Sequence, residues 1–176
     1  MTRKRRRAVA VMLLIAVMIC SSLSTAAAAK KSVKTQVFTT KTSVAQKRAT
    51  TVTKGTTVLT FNGGRGYIRF KAPATKTYTF TFSNIKDTEK HVVMSIGVQK
   101  PNKGDKSHLN LVDVRTQGGK NCFLKMAANG YRDKYGSGTN KYLTTRSCKV
   151  KLQKGQVLYF HFGTWKTKHT ATLKIN

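Results

Sequence analysis

Beyond Gly55 the chain alternates between apolar and polar residues with period two. Tyr78, Phe80 and Phe82 alternate with Thr77, Thr79 and Thr81, which puts rings on one side of a strand and hydroxyls on the other. The same alternation sets Ile68, Phe70 and Ala72 against Tyr67, Arg69 and Lys71, and Val92, Met94, Ile96 and Val98 against His91, Ser95 and Gly97. It returns near the C-terminus, with Val150 and Leu152 against Lys149 and Lys151, Leu158, Phe160 and Phe162 against Tyr159 and His161, and Ala171, Leu173 and Ile175 against Thr170, Thr172 and Lys174. Weaker strands are expected at Thr56 to Phe61, Leu109 to Arg115 and Asn121 to Met126. Turn residues separate them: Asn62-Gly63-Gly64, Ala72-Pro73-Ala74, Pro101 to Asp105, Gln117-Gly118-Gly119, Tyr135 to Gly138, Lys154-Gly155 and Gly163 to Lys168. No stretch of this region sustains a period of 3.6. About eight to ten short strands, each with one face to bury, predict an all-β, two-sheet antiparallel sandwich of jelly-roll type.

Two regions stand outside this pattern. Met1 to Ala29 carries a cationic start (Arg3 to Arg7), an apolar run from Ala8 to Cys20 and a small-residue tract ending in four alanines. That order is expected of a secretory signal peptide, here a signal helix removed near Ala29. The apolar run is about 13 residues, short of the roughly 20 that a spanning helix needs, so no stable membrane span is expected after cleavage. A lipid attachment at Cys20 would want a small residue just before it, where Val17-Met18-Ile19 stands. From Lys30 to Lys54 the sequence is rich in Lys, Thr and Val, without Pro or Gly, and alternates weakly from Val33 to Thr39. This segment is expected to be a basic lead, largely solvated, with at most one edge strand. Residues 55–176 then form the sandwich domain.

Charge changes the functional picture more than the fold. The 176 residues hold 34 Lys and Arg against five acids, a formal charge of +29. Five of those bases lie in the leader, so the exported chain would keep 29 bases against all five acids, a formal charge of +24. Eight Phe, six Tyr and one Trp supply the apolar area that a disordered polycation lacks. So large a charge repels itself, and anionic partners would relieve it. Outside the cell these are wall polymers, acidic lipid headgroups, sulfated or uronic glycans, and nucleic acid bound without sequence preference.

Catalytic chemistry has no visible basis. The close acids Asp87 and Glu89 sit between Lys86 and Lys90 in a polar turn, and His91, His161, His108 and His169 fall on outward strand positions or beside turns. No phosphate loop, nucleophile elbow or metal motif occurs, so no enzyme activity and no cofactor are expected. Cys122 and Cys148 in an oxidising compartment are expected to pair, closing a loop of roughly 27 residues worth about 3.5 kcal/mol. A reactive thiol or a metal ligand is the alternative for each.

Rings beside cations mark the candidate ligand-binding residues: Tyr67, Arg69 and Lys71 on one strand, Tyr131, Arg132, Lys134 and Tyr135 in one loop, and Tyr159 and Trp165. Such pairs suit stacking on sugars or bases next to charged groups. For the tyrosines the competing role is sheet-surface packing, and for Trp165 it is capping one end of the sandwich.

Two stretches carry a family resemblance. Gly66 to Phe82, reading Gly-Tyr-Ile-Arg-Phe-Lys-Ala-Pro-Ala-Thr-Lys-Thr-Tyr-Thr-Phe-Thr-Phe, and Leu152 to Phe160, reading Leu-Gln-Lys-Gly-Gln-Val-Leu-Tyr-Phe, with the closing strand Thr170 to Ile175, resemble the bacterial pre-peptidase C-terminal domains of exported Gram-positive proteins. Lys76-Thr77 stands where that family carries Gly. The resemblance implies a jelly-roll sandwich that binds substrate or matrix, or spaces domains on a secreted enzyme. Some members bind calcium, for which five scattered acids are too few. Together these readings predict a secreted or surface-associated, non-catalytic module that attaches to polyanions by electrostatics plus loop aromatics. The alternatives are a spacer with no dedicated ligand and a cationic antibacterial or toxin-like effector.

Overall fold

In the computed structural model the described residues are 27–87, 93–117, 119–127, 143–164 and 168–176. They form thirteen strands and one helix. In chain order these are β1 (Ala29–Val33), α1 (Thr42–Arg48), β2 (Thr50–Val52), β3 (Gly55–Phe61), β4 (Arg65–Lys71), β5 (Lys76–Asp87), β6 (Val93–Pro101), β7 (Leu109–Leu111), β8 (Val114–Thr116), β9 (Gly119–Asn121), β10 (Phe123–Ala127), β11 (Arg146–Leu152), β12 (Val157–Gly163) and β13 (His169–Ile175). The expected signal helix lies outside the described residues, and β1 begins at the last residue of the expected leader.

Two sheets stack face to face. The first has the order β1-β3-β13-β5-β11-β8-β9, and the second β10-β6-β12-β4-β2 with β7 beside β6. Consecutive long strands alternate between the sheets, so β3-β13-β5-β11 and β4-β12-β6-β10 form the two four-stranded halves of a jelly roll. All pairings in these halves are antiparallel. The two parallel pairs, β1 with β3 and β2 with β4, join strands from the N-terminal segment to the sheet edges.

Alternation places the core as the pattern requires. Tyr78, Phe80 and Phe82 of β5 interleave with Phe70 of β4 and with Phe160 and Phe162 of β12 across the gap, with ring centroids 4.9–5.8 Å apart in edge-to-face and tilted geometries. Beyond Phe82 the phase shifts by one residue. Asn84 takes φ of 50°, a left-handed conformation that Asn tolerates better than most residues, and Ile85 then points inward. The partner β13 shows the matching irregularity between Thr170 and Thr172. His169 was expected beside a turn; it is instead buried on β13 and stacks on Phe61 at 4.4 Å.

The Lys30 to Lys54 segment is no solvated lead. After β1, residues 34–49 form a strap that leaves the edge of the first sheet and crosses the outer face of the second. The strap is fastened by backbone bonds from Gln36 N–H to the Arg65 carbonyl (3.2 Å), from Thr42 N–H to the Ser107 carbonyl (2.8 Å) and from Leu109 N–H to the Thr40 carbonyl (2.5 Å). A seven-residue helix without a side-chain N-cap is marginal alone. Packing holds α1 in place: Ala45 is buried in a second, smaller core with Tyr67, Leu109 and Tyr159. Val33 and Val52, flanking the strap, are buried in the main core.

Candidate functional site

The strap decides the fate of the expected ligand-binding residues. Tyr67 and Tyr159 do point outward, yet they are 0% and 2% exposed beneath the strap and α1. Tyr67 is hydrogen-bonded to Thr39. Arg69 is engaged as well, donating from Nε to Thr51 Oγ1 at 2.9 Å and bonding the Tyr159 phenol. Burial pushes the pKa of both phenols up, as expected of rings used for packing. Only Lys71 of this group is exposed. Tyr131, Arg132, Lys134, Tyr135 and Trp165 lie outside the described residues.

The expected bridge between Cys122 and Cys148 is not formed; both are free thiols. Export supplies an oxidant but no geometry, and a disulfide needs Cα atoms within about 7 Å and facing Cβ atoms. Cys148 is opposite Phe80 and Thr116 on β11, with its thiol turned into the core. Burial raises that thiol to about 12. Cys122 stands at the passage from β9 to β10, half-buried, its carbonyl accepting the Val98 N–H.

Two concavities open on the outer side of the second sheet, at opposite ends of the β6–β12 pair. The first measures about 570 Å³ and is built from the loop after β6 and the β11–β12 turn. Lys100, Lys103, Lys106 and Lys154 line it, with Gln156 and Val157 on one wall. Both loops are pinned. Asn102 N–H bonds the His108 carbonyl (2.8 Å) and Gly104 N–H the Asn102 side chain (2.9 Å). Gly155, at φ 83°, lets the other turn close, with its N–H on the Ala72 carbonyl (2.8 Å), and Lys154 N–H bonds Thr75 Oγ1 (2.9 Å). Lys71, from the neighbouring strand, is in register with Val157.

Among the described residues no acid lines this basin. Asp105, in the same loop, is committed elsewhere: it accepts from Ser107 N–H and Oγ and contacts His108 Nδ1. Those bonds hold its carboxyl down at about 2. Burial, and then the charge of Lys103, lower the Lys100 ammonium below the ordinary lysine value. An anion in the basin would reverse the second effect and replace water lost in the first.

The second concavity, about 350 Å³, lies between Phe38 of the strap and Phe123 of β10. Gly97 and Gly163 form its floor, and His161 and Arg65 lie on its walls. His161, expected as a surface residue, is 8% exposed, with its ring against Tyr67 (4.7 Å) and Phe38 (5.4 Å). Burial lowers its pKa to about 4, opposed by a bond to the Gln36 backbone and assisted by the Arg65 charge.

Among the described residues no three His, Cys, Asp or Glu converge as a metal site, and no helix is long and apolar enough to cross a membrane. The sequence matches no protein-family model and no curated protein. Among solved structures, the chain is similar to CorA, a surface-associated copper-binding protein important in copper acquisition by Methylomicrobium album BG8, at 10% identity and a TM-score of 0.44, covering 73% of this chain and 96% of that one. It is also similar to PliG of Aeromonas hydrophila, a periplasmic inhibitor of g-type lysozyme, at 12% identity and a TM-score of 0.30, covering 85% of this chain and 100% of that one.

Proposed function

We propose that this protein is an exported, non-catalytic module that attaches to polyanionic surfaces, with the lysine basin as its point of attachment. One observation carries the reading: four lysines from two loops about fifty residues apart converge on a single pinned concavity that no acid lines among the described residues. Surface lysines usually splay into solvent, and a surface charge costs little there. Gathering them where Lys100 is half-buried and repelled by Lys103 is unfavourable unless an anion shares the site. Phosphodiester wall polymers, sulfated glycans and uronic glycans all supply repeating anions to such a basin. The resemblance to pre-peptidase C-terminal domains belongs to this reading, because the Leu-x-x-Gly-Gln element at Leu152 to Gln156 is the turn that delivers Lys154.

Affinity measured against salt tests it. On heparin and on teichoic acid, binding through released counterions predicts that log K falls linearly with log salt concentration. Replacing Lys103, Lys106 and Lys154 by Gln should reduce the steepness by about two to three, in proportion to the contacts removed. Replacing Lys149, Lys151 and Lys174, exposed on the outer side of the first sheet, removes the same charge elsewhere and should reduce it far less. Equal losses from the two triple variants, or a flat salt response, would overturn the basin as the attachment point.

A further inference from the structure

Along β6 the groove between Phe38 and Phe123 and the basin approach each other at Gly97 and Lys100, three residues or about 10 Å apart at about 3.3 Å each. The groove differs from the basin in kind. Phe123, Gly97, His161 and Tyr67 are lateral neighbours across four strands, and Ser95, Gly163 and Arg65 form the next row. Two glycines at outward positions are what make the surface concave. A Cβ at Gly97 would sit 3.2 Å from the Phe123 ring and 3.5 Å from Leu111, so any side chain there begins to fill the groove. Phe38 and Phe123 remain 43% and 36% exposed, an exposure that a core-packing role would not leave.

Polar features select the occupant. His161 is more than nine-tenths buried; one ring nitrogen bonds the Gln36 backbone while Nε2 has no partner. A neutral imidazole with its other nitrogen donating presents Nε2 as an acceptor. A buried acceptor left unpaired costs about 1–3 kcal/mol, and the His161 ring is one of the side chains that line the groove, with Phe38 packed against it at 5.4 Å. Arg65 brings a guanidinium to the same groove, and among the described residues no acid lines it. Its planar fork matches a carboxylate.

We infer that this groove holds one six-membered sugar ring bearing a carboxylate, a uronic acid unit of an anionic glycan. Phe123 and Phe38 cover the apolar C–H faces of the ring, Arg65 takes the carboxylate, and a ring hydroxyl donates to His161 Nε2. The volume suits a single ring and its substituents, at the small end of ligand clefts. The site stands apart from the lysine basin and does not depend on it.

A galacturonic acid trimer titrated into the exported chain by calorimetry is the test. Saturable binding is expected, weakened at least tenfold by Gly97→Val, which fills the groove from an outward position, and about tenfold by Arg65→Gln. The variant lacking Lys103, Lys106 and Lys154, which removes any share of the trimer held by the basin, should keep the saturable phase that Gly97→Val weakens. That separates failure of this site from failure of the basin. Circular dichroism and the melting temperature check that Gly97→Val is folded, as expected of an outward position. No saturable binding, equal binding of the methyl-esterified trimer, or unimpaired binding by folded Gly97→Val overturns the proposal. Tighter binding of 4-hydroxybenzoate than of the trimer overturns the sugar assignment.

Discussion

The phenol of Tyr67 bonds Thr39 twice, accepting the backbone N–H at 3.0 Å and donating to the carbonyl at 3.2 Å. Thr39 is mid-strap and Tyr67 mid-β4, so one side chain supplies the hydrogen bonding that a neighbouring strand would otherwise give. The Gln99 amide donates to the same carbonyl at 3.2 Å. Tyr67→Phe keeps the ring and removes the bolt, leaving the Thr39 N–H unpaired in a part-buried position. A loss of about 1–3 kcal/mol in urea unfolding is expected, with faster hydrogen exchange confined to the strap.

Gly66→Ala should be more damaging than its size suggests. A Cβ at this position would lie 2.6 Å from Val33 Cγ1 and 2.8 Å from the Lys34 carbonyl oxygen. The oxygen belongs to the backbone where the strap leaves β1, and it cannot rotate aside. Displacement of the strap and a loss of at least about 2 kcal/mol are expected, in the range of overpacked sites. A thermal melt and the protection of strap amides would report both.

How much of this could be read in the sequence divides along a physical line. Alternation in Tyr78, Phe80 and Phe82, or in Leu158, Phe160 and Phe162, gives the side on which a residue lies, and those strands and the sandwich they imply are present as expected. It does not say whether the outer side stays wet. Tyr67 and Tyr159 point outward and are still buried, because the segment covering them packs with small residues, Ala45 and Ala49, which make no apolar stripe. The buried Val33 and Val52 that flank the strap were the available signal. Lys100, Lys103 and Lys106 fall in or beside the turn that Pro101 to Asp105 marks in the sequence, but their meeting with Lys154 depends on strand pairing that no local pattern encodes. The cysteine expectation failed differently, since it rested on compartment and a bridge rests on geometry.

A chromogenic disulfide reagent at pH 8 should therefore find two thiols of unequal reactivity at Cys122 and Cys148. Cys122 is half-buried and should react in the native protein. Cys148, held at about 12 and inside the core, should react only after guanidinium unfolds the chain. Cys148→Ser, which brings a hydroxyl into that apolar site, should cost about 1–3 kcal/mol. Failure of either thiol to titrate in denaturant without reductant would mean that a bridge exists after all.

Acid should loosen the molecule before its carboxylates titrate. His161 titrates at about 4 in the folded protein against an ordinary 6.5, so between these values the unfolded chain binds a proton that the folded chain does not. Stability falls as pH drops from about 6.5 to about 4 and is unaffected by this group above that range. Asp105, held at about 2, acts in the other window, its contribution being lost only as pH falls from about 3.8 toward 2. Melting temperatures at pH 7, 5.5 and 4.5 should decline in the parent and decline less in His161→Gln. An equal decline in both would assign the acid sensitivity to another group.

The position of β13 governs how the molecule can be assembled. His169–Ile175 is the last strand in sequence, yet it lies between β3 and β5 in the middle of the first sheet. Until those seven residues arrive, β3 and β5 have no neighbour to join them and the aromatic layer has only half its support. A chain made available from its N-terminus therefore leaves β3 and β5 unjoined until residues 169–175 follow. Joining them depends on pairings distant in sequence, the slow kind of folding, and a disturbance within residues 169–175 would be felt inside the first sheet rather than at its edge.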